Sequence, residues 1–365
     1  MTAGKGANAA SRRGTHKAIS LKRSKENKPS RAGIRDLADA VGLSISTVSR
    51  ALNGYSDVNP KTQLRIEEAA REIGYSANYA AAVLRSQRTR TVTFIAPRPW
   101  TKFVDPFHLG LLDGLEMALQ AENYDLHVVM ARDMDSELKI LKRVVEQGRC
   151  DGILFGRTMP RDERVDYLLE RAFPLVALGR TERDDHDWVD RDHFQIGKQA
   201  TQRLIERGHT CIAVLSTQFR FTYSNAAVQG YRAALAEAGL PHDPSLEADC
   251  SPLKTGDKVF RDMLASGTRP TAIFCGNDMI AISVMDGMRR SDLRPGQDIA
   301  LIGCDDIPIS AYLTPALTTF TQDLDQIGTT MGKMMLSRLQ GRSEYQRVVI
   351  ESELIERATD CARKN

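Results

Sequence analysis

The 365-residue sequence predicts a small all-α domain followed by a two-lobed α/β body. Residues 34–74 contain three short segments in which apolar residues recur every three or four positions, which is typical of amphipathic helices. From residue 91 onward, short β-rich runs alternate with helical segments, and this alternation predicts parallel sheets with helices on both faces. The alternating region is longer than one compact domain of ~100–200 residues, so we expect two lobes.

Charge is distributed unevenly along the chain. Residues 1–31 contain nine Lys or Arg and one acidic residue, whereas residues 91–365 contain 33 Lys or Arg and 40 acidic residues. A basic segment ahead of an acidic body is typical of a nucleic-acid-binding arm, although a tail that only improves solubility has the same composition. The segment 1–31 is rich in Gly, Ala, Ser, Lys and Arg, so we expect a disordered tail.

Several classes of protein are disfavoured by what the sequence lacks. The six cysteines contain no CxxC pair, which fits a reducing compartment better than a disulfide framework or a zinc site. The first thirty residues do not resemble a secretory signal, and no apolar run reaches the ~20 residues of a transmembrane helix. Phosphate loops, dinucleotide fingerprints and nucleophile elbows are absent. We expect a cytoplasmic protein that is not an enzyme, with no cofactor, no metal and no membrane partner.

The first two predicted helices have a helix-turn-helix pattern. The first begins at Ile34 and ends at Gly42, a residue type that favours helix C-caps. Ser44 is a suitable N-cap for the second helix. One face of that helix carries small polar residues and Arg50, which suits entry into a major groove, where arginine can make two hydrogen bonds to guanine. Many small helical domains share this pattern, so it does not by itself establish DNA binding. A third helix is predicted to follow Asn59 and to stop at Gly74.

The string STVSRALN, followed by GYSANYAAAVLR, resembles the DNA-binding region of the lactose/galactose repressor family. The similarity continues through the body to about residue 355. It implies a periplasmic-binding-protein-like body and a transcription regulator, a repressor, that binds a palindromic double-stranded operator as a homodimer. It also implies control by a small-molecule effector, expected to be a sugar. The alternative is a small-molecule-binding α/β protein or a sugar-active enzyme without DNA function.

The resemblance implies roles for individual residues of the DNA-binding region. The implied base readers are Ile45, Ser46 and Arg50. The implied phosphate contacts are Ser49, Asn53, Thr62 and Asn78. Ala81 and Leu84 would lie in a hinge helix that folds on the minor groove, with Leu84 as the apolar wedge between base steps. Gly33 and Ala77 depart from the Thr and Pro that are usual in the family.

The resemblance also implies domain limits. We expect a tail at 1–31, a helix-turn-helix domain at 32–77, a hinge helix and linker at 78–90, and an effector-binding and dimerisation domain at 91–365. Family bodies cross between their lobes three times. The first lobe would then comprise about 91–190 and 321–342, and the second about 191–320 and 343–360.

Polar residues after two predicted strands indicate a ligand site, because ligands of open α/β sheets bind at the carboxyl ends of strands. Asn277 follows one such strand and Asp305 follows another. An amide and a carboxylate suit the vicinal hydroxyls of a sugar, and both positions match effector positions of the family. Asp278 is expected to cap a helix instead, and Asp306 to cap a loop.

Two further residues are candidates for the same site. Phe107 would supply an apolar platform, with core packing as the alternative. Arg157 follows a strand, with a solvated surface arginine as the alternative. Ala227 stands where the family commonly has an arginine that anchors the effector. The identity of the effector therefore stays open, as does the choice between inducer and corepressor.

Overall fold

The computed structural model describes residues 32–52, 55, 57–75, 88–98, 106–250 and 255–363. The chain divides into two units, Met1–Ser86 and Gln87–Asn365. The tail predicted at 1–31 lies outside the described residues, as does most of the hinge predicted at 78–90.

The described residues of the first unit, 32–52, 55 and 57–75, form three helices: α1 (Ile34–Val41), α2 (Ile45–Leu52) and α3 (Pro60–Glu72). Gly42 ends α1 in the left-handed conformation (φ 64°), which glycine adopts without steric cost. Asn59 accepts a hydrogen bond from the Lys61 amide at 2.9 Å and caps α3, as the sequence predicts. All three helices contribute to one buried cluster, which consists of Leu37, Ala38, Val41, Val48, Ala51, Ile66 and Ala70.

Two parallel sheets form the framework of the second unit. The first contains β1 (Thr91–Pro97), β2 (Asp125–Ala131), β3 (Gly152–Phe155), β4 (Leu175–Leu178), β5 (Asp187–Arg191) and β11 (Arg347–Ile350). The second contains β6 (Ile212–Thr217), β7 (Glu247–Cys250), β8 (Ala272–Cys275) and β9 (Ala300–Ile302). Their strand orders are β11-β5-β4-β3-β1-β2 and β7-β6-β8-β9. A short antiparallel pair consists of β10 (Thr319–Phe320) and β12 (Leu354–Ile355).

Helices cover both faces of each sheet, as the alternating pattern predicts. The first sheet is covered by α4 (Pro106–Gln120), α5 (Met134–Glu146), α6 (Glu163–Leu169) and α11 (Leu324–Leu339). The second is covered by α7 (His193–Glu206), α8 (Thr222–Glu237), α9 (Gly256–Ala265) and α10 (Asp278–Arg289). Because both faces are buried, the inner strands are continuous apolar runs without alternation. No helix in the described part of the chain is long and apolar enough to span a bilayer.

The chain passes between the two sheets three times. It crosses after β5, returns after β10 and crosses again after β11. The expected limit of the first lobe at residue 342 is wrong, because β11 pairs with β5 and places Arg347 opposite Trp188. The third crossing therefore follows Ile350. A four-residue apolar run does not itself indicate which sheet it joins.

Glycine permits a close approach of α7 and α8. A Cβ added at Gly230 would lie 2.0 Å from the carbonyl oxygen of Phe194 and 2.7 Å from the amide nitrogen of Lys198. A Cβ added at Gly197 would lie 2.0 Å from the carbonyl oxygen of Ala227. These neighbours are backbone atoms, so a larger residue requires the two helices to separate.

We expect Gly230→Ala to destabilise the second unit by ~1–3 kcal/mol, because overpacking outweighs the better helix propensity of alanine. Gln229→Ala, on the exposed side of the same helix, is the control and should stay within ~0.5 kcal/mol of the parent. Denaturant unfolding followed by circular dichroism measures both. Equal unfolding free energies for the two variants would contradict the close packing.

Candidate functional site

The exposed face of α2 carries the residues predicted to read bases. All three of these residues, Ile45, Ser46 and Arg50, are exposed. Ser49 and Thr62, predicted phosphate contacts, are half-buried. The start of α2 is fixed by Ser44, whose Oγ accepts a hydrogen bond from the Thr47 amide at 3.1 Å. The helix therefore presents a small, polar surface with one arginine, as a groove-binding helix requires.

Five other predicted site residues have no described side chain. Asn53, Asn78, Ala81 and Leu84 lie outside the described residues. Phe107 lies in α4, but its side chain is not among those described. The roles of these five residues stay predictions.

Arg191, the last residue of β5, is buried and connects the two lobes. Its guanidinium donates hydrogen bonds to the Thr321 carbonyl oxygen (3.1 Å), the Cys304 sulfur (3.0 Å) and the Asp305 carboxylate (3.2 Å). A buried charge is costly unless it is paired, and Asp305 supplies the opposite charge. Asp305, a predicted effector residue, therefore lies where the chain crosses between the lobes.

Asn277, rather than Asp278, caps α10. The Asn277 side-chain oxygen accepts a hydrogen bond from the Ile280 amide at 2.7 Å. Asp278 is fully buried and accepts hydrogen bonds from the Ser310 hydroxyl (2.6 Å) and the Thr319 hydroxyl (2.5 Å). The expectation that Asp278 caps a helix is wrong, because the segments after β9 supply its donors. Asn277 is half-buried and lies just past the carboxyl end of β8, as predicted.

Arg157 packs between the two lobes. Its guanidinium forms an ion pair with Glu137 of α5 and lies over the ring of Phe221 from the second lobe, 5.6 Å from the ring centroid. The side chains of Arg157 and Glu137 are 16% and 1% exposed, so the alternative of a solvated surface arginine is wrong. Arg157 also has a left-handed backbone (φ 53°), which is uncommon for a residue with a side chain.

Sequence reasoning missed an aromatic cluster at the same edge. The rings of Phe221 and Tyr223 stack with centroids 5.9 Å apart, and the His193 ring lies 5.5 Å from that of Tyr223. Burial raises the pKa of Tyr223, and the charges of Arg157 and Asp305 also act on it. The sequence could have indicated this cluster, because Phe221 and Tyr223 both follow β6, and the carboxyl end of β6 lies beside that of β8.

The face of α8 that carries an arginine in the resembled family is different here. Ala227 is 4% exposed, and its carbonyl faces Gly197 at the contact of α7 with α8. Tyr223 precedes Ala227 by one helical turn, so both residues share a face of α8. A phenol and a methyl group thus stand on the face where a guanidinium would hold an anionic or hydroxylated ligand.

Several buried polar atoms near these strand ends have no hydrogen-bond partner among the described residues. They are Arg157 Nε, Thr158 Oγ1, Arg191 Nε and Gln218 Oε1. Each of these residues ends a strand or closely follows one, at the carboxyl edges of the two sheets. Buried polar groups are nearly always hydrogen-bonded, so this pattern is expected of a site that a polar ligand or water completes.

Asp190 and His193 flank Arg191 at the first crossing. Burial raises the pKa of Asp190 to about 6, against the opposing effect of Arg180, which lies 3.0 Å away. Burial also lowers the pKa of His193 well below its ordinary value, so its imidazole is neutral near pH 7. Burial by itself would lower the pKa of Arg191, but the neighbouring Cys304 and Asp305 raise it, so its guanidinium remains charged.

Comparison with known proteins identifies both parts of the chain. Residues 33–78 match bacterial regulatory proteins of the lacI family, and residues 201–359 match a periplasmic binding protein-like domain. The HTH-type transcriptional regulator CelR of Thermobifida fusca is 30% identical over 88% of this chain and 96% of its own length. The HTH-type transcriptional repressor PurR of Erwinia tasmaniensis is 31% identical over 89% of this chain and 96% of its own length.

Two solved structures are similar along most of the chain. A complex of the transcriptional regulator CelR with cellobiose is 28% identical, with a TM-score of 0.69, and covers 90% of this chain and 100% of its own. The Lac repressor dimer bound to operator and the anti-inducer ONPF is 22% identical, with a TM-score of 0.80, and covers 91% of this chain and 100% of its own. The second likeness shows a common fold.

A helix-turn-helix unit joined to a two-lobed body defines a DNA-binding regulator of transcription rather than an enzyme. The chain belongs to the lacI family of bacterial regulatory proteins, which confirms the resemblance found in the sequence.

Asp190→Asn should change how stability depends on pH. The pKa of Asp190 in the folded protein, about 6, exceeds its ordinary 3.8, so the folded state binds the proton more tightly than the unfolded state. The stability from this group is complete below pH ~4 and is lost as the pH rises through ~6. The unfolding free energy of the parent, relative to the variant, should fall by about 3 kcal/mol over this range. Unfolding curves in a series of buffers measure it, and a pH-independent difference would contradict the burial of this carboxyl.

Proposed function

We propose that the regulator represses transcription in the cytoplasm as a homodimer on a palindromic operator, and that a carbohydrate bound between the lobes controls it. The exposed face of α2 supports the DNA-binding part, since a helix that reads bases must present small side chains and a bidentate donor. Two copies are required because two recognition helices read the two half-sites of one operator.

The proposed DNA contacts are those that the sequence resemblance implies. Ile45, Ser46 and Arg50 contact bases, Ser49, Asn53, Thr62 and Asn78 contact phosphates, and Ala81 and Leu84 enter the minor groove. The proposed domain limits are 1–31 for the tail, 32–77 for the helix-turn-helix domain and 78–90 for the hinge. The effector and dimerisation domain occupies 91–365, with its third crossing after Ile350.

The carbohydrate assignment is supported by one arrangement above all. Asp305, the stacked pair Phe221 and Tyr223, and Arg157 come together where both sheets end. Carboxylates accept hydrogen bonds from hydroxyl groups, and aromatic rings pack against the apolar faces of sugars. The solved relative bound to cellobiose, with 28% identity, makes cellobiose the first probe to test. Asn277 and Phe107 complete the proposed site.

Arg50→Ala tests the base-reading role. If Arg50 is bidentate to a guanine, the variant should lose ~1–3 kcal/mol on a duplex that the wild-type protein selects from a random pool. Binding to unselected DNA should change far less. Arg35→Ala removes an equal charge from the exposed side of α1 and is the control. Fluorescence anisotropy titrations on both duplexes measure the change, and an equal loss on both would make Arg50 a phosphate contact.

Asp305→Asn tests the effector site. The variant should bind cellobiose about 10- to 100-fold more weakly, since hydrogen bonds to a charged group contribute ~1.5–3 kcal/mol each. Because the variant also loses its ion pair to the buried Arg191, its melting temperature without sugar should fall, so binding is compared at a temperature at which both proteins are folded. Asp306→Asn, at the neighbouring carboxylate, loses a more exposed ion pair, to Arg357 at 2.7 Å, and is the control. Calorimetric titration and the sugar-induced rise in melting temperature measure binding. Full cellobiose binding by Asp305→Asn would exclude this carboxylate from the site.

A further inference from the structure

The guanidinium of Arg50, on the exposed face of α2, already has an acidic partner within its own unit. It forms an ion pair with Asp57 and lies over the ring of Tyr55, 5.8 Å from the ring centroid. The side chains of Arg50 and Asp57 are 55% and 47% exposed, so both are accessible to a partner molecule. The arginine proposed to read a base is therefore held by a carboxylate in the free protein.

The backbone fixes where Asp57 stands. The Tyr55 amide donates a hydrogen bond to the Arg50 carbonyl oxygen at 3.2 Å, and the Val58 amide donates to the Tyr55 carbonyl oxygen at 3.2 Å. The Asn59 cap then starts α3. These bonds hold Asp57 in the turn beside the carboxyl end of α2, next to the arginine.

The exposed Arg50–Asp57 pair is not needed for folding, because exposed ion pairs contribute little to stability. It does change what Arg50 can bind. A guanidinium has five N–H donors, and two of them suffice for a guanine, so the carboxylate can keep the remaining ones. On other sequences, the same carboxylate would compete with phosphate oxygens for Arg50, because like charges repel and Arg50 is already paired.

We propose that Asp57 is a specificity-determining residue: it positions Arg50 for a guanine edge and prevents Arg50 from binding phosphates on noncognate DNA. The inference rests on the proposed base-reading role of Arg50. It predicts that loss of the Asp57 charge both strengthens binding to nonspecific DNA and weakens discrimination between the operator and other sequences.

The test compares Asp57→Asn with Asp39→Asn in the full-length protein. Asp39 is an exposed acid on α1, so its variant loses the same charge from the same unit. Each protein is titrated with the duplex selected by the wild type and with a scrambled duplex, over a range of salt concentrations. For Asp57→Asn, the ratio of the two affinities should fall about tenfold, within the range of one bidentate base contact. Its salt slope on the scrambled duplex should steepen by about 0.9, as for one added phosphate contact.

A double-mutant cycle separates the possible failures. In an Arg50→Ala background, Asp57→Asn should change the affinity ratio no more than Asp39→Asn does, because Asp57 acts through Arg50. If Arg50→Ala lowers the ratio but Asp57→Asn and Asp39→Asn behave alike, the proposed role of Asp57 is overturned and base reading by Arg50 stands. If Arg50→Ala leaves the ratio unchanged, base reading by Arg50 fails as well. Unchanged melting temperatures show that both asparagine variants fold.

Discussion

The two-lobed body depends on the buried charge of Arg191. Its guanidinium reaches from the first crossing to the carbonyl oxygen of Thr321 in the second. Thr321 in turn exchanges two hydrogen bonds of 2.8 Å with the backbone of Glu353 in the third crossing. One arginine and one threonine thus join all three connections between the lobes. Loss of one member of a buried ion pair typically costs ~3–5 kcal/mol, because the other charge is left unpaired.

The proposed effector site includes a residue bonded to Arg191, at the connections between the lobes. Asp305 is bonded to Arg191, and a carboxylate has about four acceptor positions, so a sugar hydroxyl can bind it without displacing the arginine. Any change in the position of Asp305 then acts directly on the segments that connect the lobes. Coupling between two sites is typically worth ~1–3 kcal/mol, which one such charged hydrogen bond can supply.

Local features of the fold were predictable where a single segment carries the information. Residues 59–60 marked the start of α3, and the apolar runs at 152–155 and 272–275 marked β3 and β8. Prediction failed where a remote partner decides the outcome. The sheet to which β11 belongs is set by β5, and the role of Asp278 is set by the hydroxyls of Ser310 and Thr319. Likewise, nothing near Arg157 in the sequence identifies Glu137 as its partner.

The order of the strands in the first sheet also determines when each lobe can finish folding during synthesis. The second sheet comes from one continuous stretch, residues 212–302, whereas the first needs β11 at 347–350 beside β5 and α11 over one face. Contacts between distant parts of a chain form late, and domains fold as the ribosome releases them. On the ribosome, the strands of the first lobe emerge before those of the second. One edge of that lobe, and the part of one face that α11 covers beside α4, nevertheless stay uncovered until almost the whole body has emerged. The lobe that is translated first is therefore completed only after nearly all of the second lobe has been made, and until then its uncovered apolar surface is one that a nascent-chain chaperone would meet.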